Sequence, residues 1–170
     1  MSRLKRLSPS DLRERRLDEK RDVSEHAEAI VREVRDGGDQ ALKKWCDRFE
    51  ELREGSLLLE RADLENALDR IDDKTRSLLE RTATRIRRFA EAQRAALNDL
   101  SLPIPGGRAG HTVSAIEQVG CYAPGGGYPL PSSVLMTVIP ARVAGSARIC
   151  LATPNPSDLM LAAAAIAGAD

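Results

Sequence analysis

The chain has 170 residues, and since single domains commonly run from about 100 to about 200 residues, one domain or part of a larger one is expected. Its 26 Lys and Arg residues balance its 26 Asp and Glu residues, so no excess positive charge is present to attract nucleic acid. The charged N-terminus lacks the apolar core of a secretory signal, and no apolar run reaches the length of about 18 residues that spans a membrane. These features predict a soluble, cytoplasmic protein with neither nucleic acid nor membrane as a partner.

Helical patterns fill the first part of the chain. Ser8 as N-cap and Pro9 as first helical residue predict the start of a short charged helix. A second helix is predicted over about 22–36 and ends at Gly37-Gly38, after which Asp39 begins a third. The apolar residues of this third helix follow helical spacing: Leu42, Trp45, Cys46 and Phe49.

Two more helices are predicted after Gly55. One runs from Ala62 to Ile71, and Asp72 caps a longer one that reaches about Leu100. The apolar stripe of the longer helix is predicted to consist of Leu79, Thr82, Ile86, Phe89, Gln93 and Leu97. Its opposite face carries Arg81, Arg85 and Arg88. Acidic residues lie among these arginines, which favours a solvated face with ion pairs over a nucleic-acid surface.

The residue pattern changes between Pro103 and Gly110. Residues 111–121 are rich in Val, Ile and Thr without helical spacing, which predicts a strand. A loop over 123–131 follows, and Ser132 and Ser133 are expected to cap a helix from Val134 to about Ala144 that ends at Gly145.

A second strand is predicted over 147–152. It is followed by a helix that has Asn155 as N-cap and that ends at Gly168. The order strand, helix, strand, helix is typical of a parallel α/β sheet. The predicted fold class is therefore α/β, with a helical N-terminal region (1–102) followed by the start of a Rossmann-like parallel βαβα unit (111–170). This unit is expected to be incomplete at its C-terminus, because a further strand is due.

The loop from Tyr122 to Tyr128, with the sequence YAPGGGY, lies between a strand and a helix N-terminus, where free backbone amides can receive an anion. It matches neither the dinucleotide fingerprint nor a Walker loop, so its glycines, Gly125 to Gly127, fit either a structural turn or a ligand loop. Tyr122 and Tyr128 are the only tyrosines. Each ring is suited either to lie against a base, ribose or nicotinamide or to cover the core.

The three cysteines, Cys46, Cys121 and Cys150, contain no C-x-x-C pair, so reduced thiols are expected. Cys121 is a candidate nucleophile for aldehyde oxidation, but the sequence around it offers no His or Lys, and packing inside a strand is favoured. His26 and His111 have no metal-ligand spacing, so they are expected to be exposed or locally bonded.

The segment Val119 to Gly145 resembles the histidinol dehydrogenase family. It matches the family elements V-G-x-Y-x-P-G-G, P-L-x-S-[ST]-V-L-M and P-A-[RK]-x-A-G in order and spacing. Residues 34–42 resemble the family's V-x-x-x-G-D-x-A-L, so the likeness covers essentially the whole chain. Three residues depart from the family pattern: Ser114-Ala115 stands where Arg-Pro is frequent, and Cys121 stands at an often aliphatic position, which supports packing of Cys121 in the core.

The resemblance implies an NAD-dependent, zinc-requiring enzyme that oxidises L-histidinol through histidinal to L-histidine, the last step of histidine biosynthesis. It also implies a homodimer whose subunits share the active site, and incomplete Rossmann-like units behind a helical N-terminal portion. The family's NAD-contacting tyrosine corresponds to Tyr122, which is assigned as cofactor-binding. The zinc ligands (a Gln, two His and an Asp) and the Glu-His pair that transfers protons are expected beyond Asp170. No catalytic or metal residue is therefore assigned, and an N-terminal fragment that is inactive alone is expected.

Two alternatives stay open. One is a paralogous zinc and NAD alcohol dehydrogenase that acts on another small polar substrate, since residues outside this chain decide the substrate. The other is a non-catalytic module that uses its helices for dimerisation or partner binding.

Overall fold

The computed structural model describes residues 9–52, 55–125 and 128–170, with side chains from residue 23 onward. The chain divides by its contacts into two compact units, residues 1–51 and 52–170. The predicted division into a helical region (1–102) and a partial α/β region (111–170) was based on secondary structure rather than on contacts, and it stays a prediction. The predicted N-cap, Ser8, lies outside the described residues.

The first unit contains one helical element, α1 (Pro9–Arg48). The prediction of a separate helix starting near Asp22 was wrong: the helix runs on without interruption because no Gly or Pro occurs between residues 10 and 36. Gly38 does break it, with φ 57° and ψ −144°, so the predicted stop is confirmed, although helix resumes at once.

Trp45 is the buried centre of the first unit. Its ring meets that of His26 edge-on at 5.9 Å and stacks on Phe49 at 5.5 Å, and its Nε1 donates to Glu33 Oε2 at 2.9 Å. The helical segments before and after Gly38 therefore pack on each other. Leu42 and Phe49 remain exposed, so the predicted apolar stripe is only partly buried.

The second unit begins with α2 (Arg61–Arg70) and α3 (Asp73–Ala95). The predicted cap is confirmed, because the Asp72 carboxylate accepts from the Thr75 amide at 2.9 Å. The predicted stripe of α3 is wrong in its second half, where Phe89 and Leu97 are exposed. The buried positions of α3 are Leu79, Ala83 and Ala90, and α3 packs against α4.

The structure contains an antiparallel hairpin that was not predicted, formed by two exposed strands, β1 (Leu100–Ile104) and β2 (Gly107–His111). Pro105 and Gly106 form its turn, and Gly106 has φ 85°. This Pro-Gly pair was the available signal.

The predicted parallel βαβα order is confirmed. Strand β3 (Gln118–Tyr122) pairs in parallel with β4 (Arg148–Ala152), and the helices α4 (Pro131–Ala144) and α5 (Asp158–Ala167) follow the two strands. The predicted strand over 111–121 was too long, since residues 112–117 are not in a strand.

Glycines end both crossover helices as predicted, with φ 99° at Gly145 and 89° at Gly168. The starts differ from the prediction. Helix α4 begins at Pro131 rather than at Val134, because Pro suits the first helical position. Asn155 is not the cap of α5: its φ of 36° excludes the extended backbone of an N-cap, and Ser157 takes that place.

Helices α4 and α5 form the middle of the second unit. Helix α4 contacts both strands and α3, while α5 contacts α2 and α4. Their buried side chains are Val134, Leu135, Val138 and Ile139 of α4 and Met160, Leu161, Ala162, Ala163, Ala164 and Ala167 of α5. Cys121 and Ile149 join this core from the sheet, whereas Gly120, Tyr122 and Cys150 are exposed on the opposite face of the strands.

Candidate cofactor-binding edge

The candidate site is the edge of the sheet where β3 and β4 both end. Because the strands are parallel, the chain leaves them at the same edge, where ligands of open α/β sheets bind. The Ala123 amide donates to the Ala152 carbonyl at 3.0 Å and extends the pairing into the loops. Beyond the loops, the Leu130 amide contacts Met160 Sδ at 3.1 Å, which joins the starts of α4 and α5.

Tyr122 is the last residue of β3, and its side chain is 63 % exposed. It projects from the face opposite Cys121, because successive side chains of a strand alternate. Its ring is therefore free to lie against a planar ligand group rather than to cover the core. Tyr128, at the other end of the loop, is 84 % exposed, so neither tyrosine covers the core.

Gly125 is required by a contact between the two loops. A Cβ added to it would overlap the Pro154 carbonyl oxygen and stand 2.9 Å from Pro154 Cγ. Pro154 of the second loop comes so close to the Gly125 backbone that no side chain would fit there. This packing contact explains why the residue is a glycine. The neighbouring Gly126 and Gly127 lie outside the described residues.

Thr153 is a further residue of this edge, and it was not among the predicted site residues. It follows β4 directly, and its hydroxyl oxygen is buried without a hydrogen-bond partner. Among the residues that the structure describes, the Thr153 oxygen is the one buried side-chain N or O atom that lacks a hydrogen-bond partner. The available signal was a hydroxyl residue directly after a parallel strand.

Cys121 is buried in the core, which confirms the packing interpretation. Burial raises the pKa of its thiol, and a hydrogen bond with Thr137 opposes this rise in part. A thiol of raised pKa gives little thiolate at neutral pH and is a poor nucleophile.

Both histidines have local partners far from this edge in sequence. The His26 ring packs on Trp45, and His111 Nε2 lies 3.2 Å from the Asn98 carbonyl oxygen. Among the side chains that the structure describes, no three His, Cys, Asp or Glu residues converge in a geometry that could hold a metal ion. These residues do not form a zinc site, and no step is assigned to zinc within this chain.

The geometry defines a class of protein: an α/β protein with a candidate ligand site at the carboxyl edge of a parallel sheet, bordered by an exposed tyrosine and a glycine loop. Residues 13–170 match the family model of histidinol dehydrogenase. The chain therefore belongs to the histidinol dehydrogenase family, as its motifs predicted.

Curated relatives agree with this assignment. The chain is 39 % identical over 148 residues to histidinol dehydrogenase homolog 1 of Mesorhizobium japonicum, which covers 84 % of this chain and 30 % of that protein. It is 40 % identical over 152 residues to histidinol dehydrogenase of Natronomonas pharaonis, covering 88 % of this chain and 35 % of the relative. The chain thus spans about a third of the length of these relatives.

A solved structure shares the fold. The crystal structure of histidinol dehydrogenase from Elizabethkingia anophelis superposes with a TM-score of 0.76 at 25 % sequence identity. The match covers 86 % of this chain and 35 % of that structure. The α/β fold class and its resemblance to part of a larger enzyme are thereby confirmed.

Proposed function

We propose that this chain supplies one edge of the NAD site of an enzyme that oxidises L-histidinol, through histidinal, to L-histidine. The observation that carries the proposal is the position of Tyr122, which ends β3 at the carboxyl edge, is 63 % exposed and is the tyrosine of the family motif V-G-x-Y-x-P-G-G. The family match over residues 13–170 supports it.

The residues at this edge fit a dinucleotide. An exposed aromatic ring can stack on its base or nicotinamide, and a buried hydroxyl without a partner at Thr153 offers a hydrogen bond. When bound, NAD accepts the hydride that leaves the alcohol. Within this chain, Tyr122 has the role of positioning the cofactor, and proton transfer and zinc binding belong to residues expected elsewhere in the full-length protein.

The same proposal includes the oligomeric state, the cellular location and the substrate. We expect a homodimer and a cytoplasmic enzyme, as the family resemblance implies, with L-histidinol as the small-molecule substrate. None of the helices in the described part of the chain is both long and apolar enough to cross a bilayer. Sedimentation of the full-length protein would test the dimer, since a monomer at assay concentration would contradict it.

The decisive experiment measures NADH formation from L-histidinol by the full-length protein and by its Tyr122→Ala variant. Loss of the ring should raise the KM for NAD about tenfold. Aromatic packing contributes about 0.5 to 1.5 kcal/mol to binding, in addition to the contribution of the apolar surface that the ring buries. Tyr122→Phe keeps the ring and should stay near wild type. Tyr128→Ala is the matched control, because it removes the other exposed tyrosine of the loop.

Two outcomes would contradict the proposal. One is a full-length protein that forms no NADH from any amino alcohol in the presence of zinc. The other is a Tyr122→Ala variant whose KM for NAD equals that of the wild type.

A second candidate is a paralogous NAD-dependent dehydrogenase with another small polar alcohol as substrate. It is favoured by the relative from Mesorhizobium japonicum, whose name sets it apart as a homologue of the enzyme. The values of kcat/KM for L-histidinol and for other amino alcohols and diols separate the candidates. A preference for another alcohol would establish the second.

A further inference from the structure

We infer that the Thr153 hydroxyl is a ligand-binding group of this edge, which donates a hydrogen bond to a ribose or phosphate oxygen of the dinucleotide. The inference rests on the proposed NAD site and adds a residue to it. It starts from the buried Thr153 oxygen, which lacks a partner in the described part of the chain.

An unpartnered buried hydroxyl is costly. A hydroxyl withdrawn from water without a replacement partner raises the free energy of the folded protein, because its hydrogen bonds to water are lost and not replaced. Such groups are rare in folded proteins and call for a specific explanation. Valine has nearly the same shape and would fill the same space without this cost, so packing alone does not explain a threonine here.

The position of Thr153 points to the ligand edge. It follows the last residue of β4, Ala152, whose carbonyl is bonded to the amide of Ala123 just after β3. The next residue, Pro154, packs against Gly125 of the glycine loop. Thr153 is therefore held between two contacts that join the loops at the carboxyl ends of both strands.

The chemistry of the group selects the ligand atoms. A threonine hydroxyl donates one hydrogen bond and accepts others, which matches a ribose hydroxyl or a phosphate oxygen. Water does not reach the Thr153 oxygen. A dinucleotide that supplies its partner would therefore displace some of the atoms that now cover this oxygen.

The test compares Thr153→Val and Thr153→Ser in the full-length protein. Removing the hydroxyl should leave the melting temperature of the NAD-free protein unchanged or raise it, because the unpartnered polar atom is gone. The same change should weaken NAD binding in isothermal calorimetry about tenfold, and Thr153→Ser should restore it to within about threefold. A hydroxyl with only a structural role would not produce these opposite effects.

Thr137→Val is the matched control, because the Thr137 hydroxyl already donates to the Ser133 carbonyl at 2.8 Å within α4. It should leave NAD affinity unchanged. Calorimetry with AMP and with nicotinamide mononucleotide assigns the contact, since only the half that Thr153 touches should bind more weakly to Thr153→Val.

Unchanged NAD affinity in Thr153→Val overturns this inference and leaves the proposed function intact. A lower melting temperature of the NAD-free Thr153→Val protein with unchanged affinity also overturns it and assigns the hydroxyl to folding. If the wild-type protein binds no NAD, the proposed function and this inference both fail.

Discussion

Arg142 Nη2 and Asp170 Oδ2 form an ion pair of 2.8 Å that joins the end of α4 to the chain just after α5. The same carboxylate oxygen accepts from the Ile149 amide at 2.8 Å, and the Asp170 amide donates to the Ile149 carbonyl at 3.1 Å. Arg142 also donates to the carbonyls of Gly168, Ser146 and Ala147. One guanidinium thus ties two helix ends to the start of β4.

Replacing this guanidinium should destabilise the fold. Arg142→Lys keeps the charge but loses the planar fork that reaches several acceptors, and about 1 to 2 kcal/mol of unfolding free energy should be lost. Urea unfolding of the full-length protein measures the change. Arg148→Lys, at an exposed position of β4, is the control and should change stability by less than about 0.5 kcal/mol. Equal losses in the two variants would contradict the role of Arg142.

The carboxylate of this pair should make stability depend on pH in the acid range. The hydrogen bond from the Ile149 amide, and then Arg142, hold the pKa of Asp170 below its ordinary value of 3.8. Since the pKa is lower in the folded state, the stabilisation is present above 3.8 and is lost as pH falls through the folded value.

Asp170→Asn isolates this contribution. The stability difference between wild type and Asp170→Asn should be constant near neutral pH and should shrink below pH 3.8. Asp72 also has a lowered pKa, from its hydrogen bonds with Thr75, but its contribution is common to both proteins and cancels. A difference that stays constant throughout acid titration would contradict the assignment.

The sequence predicts a helix end correctly where the residue at that position determines the backbone conformation. The glycines Gly145 and Gly168 end their helices as predicted, because glycine readily adopts the left-handed conformation. The start of α5 was misplaced, since Asn155 adopts a positive φ that its sequence context did not reveal. Phe89 belongs to the predicted apolar stripe of α3 but is exposed, because helical spacing shows a stripe and does not show which neighbour covers it.

The candidate site was predictable only in part. The family motif predicts Tyr122 as a cofactor-binding residue, and the alternation of side chains along a strand is consistent with its exposure at the end of β3. The unpartnered Thr153 hydroxyl and the contact of Gly125 with Pro154 depend on how two loops distant in sequence pack together. The sequence of either loop alone does not show how the two loops pack together.

The cysteines should differ in reactivity. Cys150 is exposed on β4, whereas Cys121 is buried and burial raises its pKa. Alkylation of the native full-length protein, followed by mass spectrometry, should label Cys150 at least about tenfold faster than Cys121. Cys121→Ala should retain NAD-dependent activity, because the thiol packs in the core. Loss of activity in a correctly folded Cys121→Ala protein would restore the nucleophile hypothesis.

Gly125 and Gly120 offer a matched pair for the contact between the loops. Gly120 lies in the middle of β3 and Gly125 lies three residues beyond its end. A Cβ at Gly125 would overlap Pro154, whereas a Cβ at Gly120 would meet no atom within 4 Å. Gly125→Ala should therefore cost about 1 to 3 kcal/mol of stability, because the backbone of the second loop must shift. It should also weaken NAD binding, since Thr153 precedes the displaced Pro154.

Gly120→Ala should leave both quantities within error, because the added methyl enters open space on the exposed face of the sheet. Urea unfolding and NAD calorimetry on the two full-length variants provide the measurement. If Gly125→Ala were as stable as Gly120→Ala, the loops would not be in the contact described, and Gly125 would have to be explained by the ligand. If Gly125→Ala lost stability but kept its NAD affinity, the loop contact would hold the fold without shaping the binding edge.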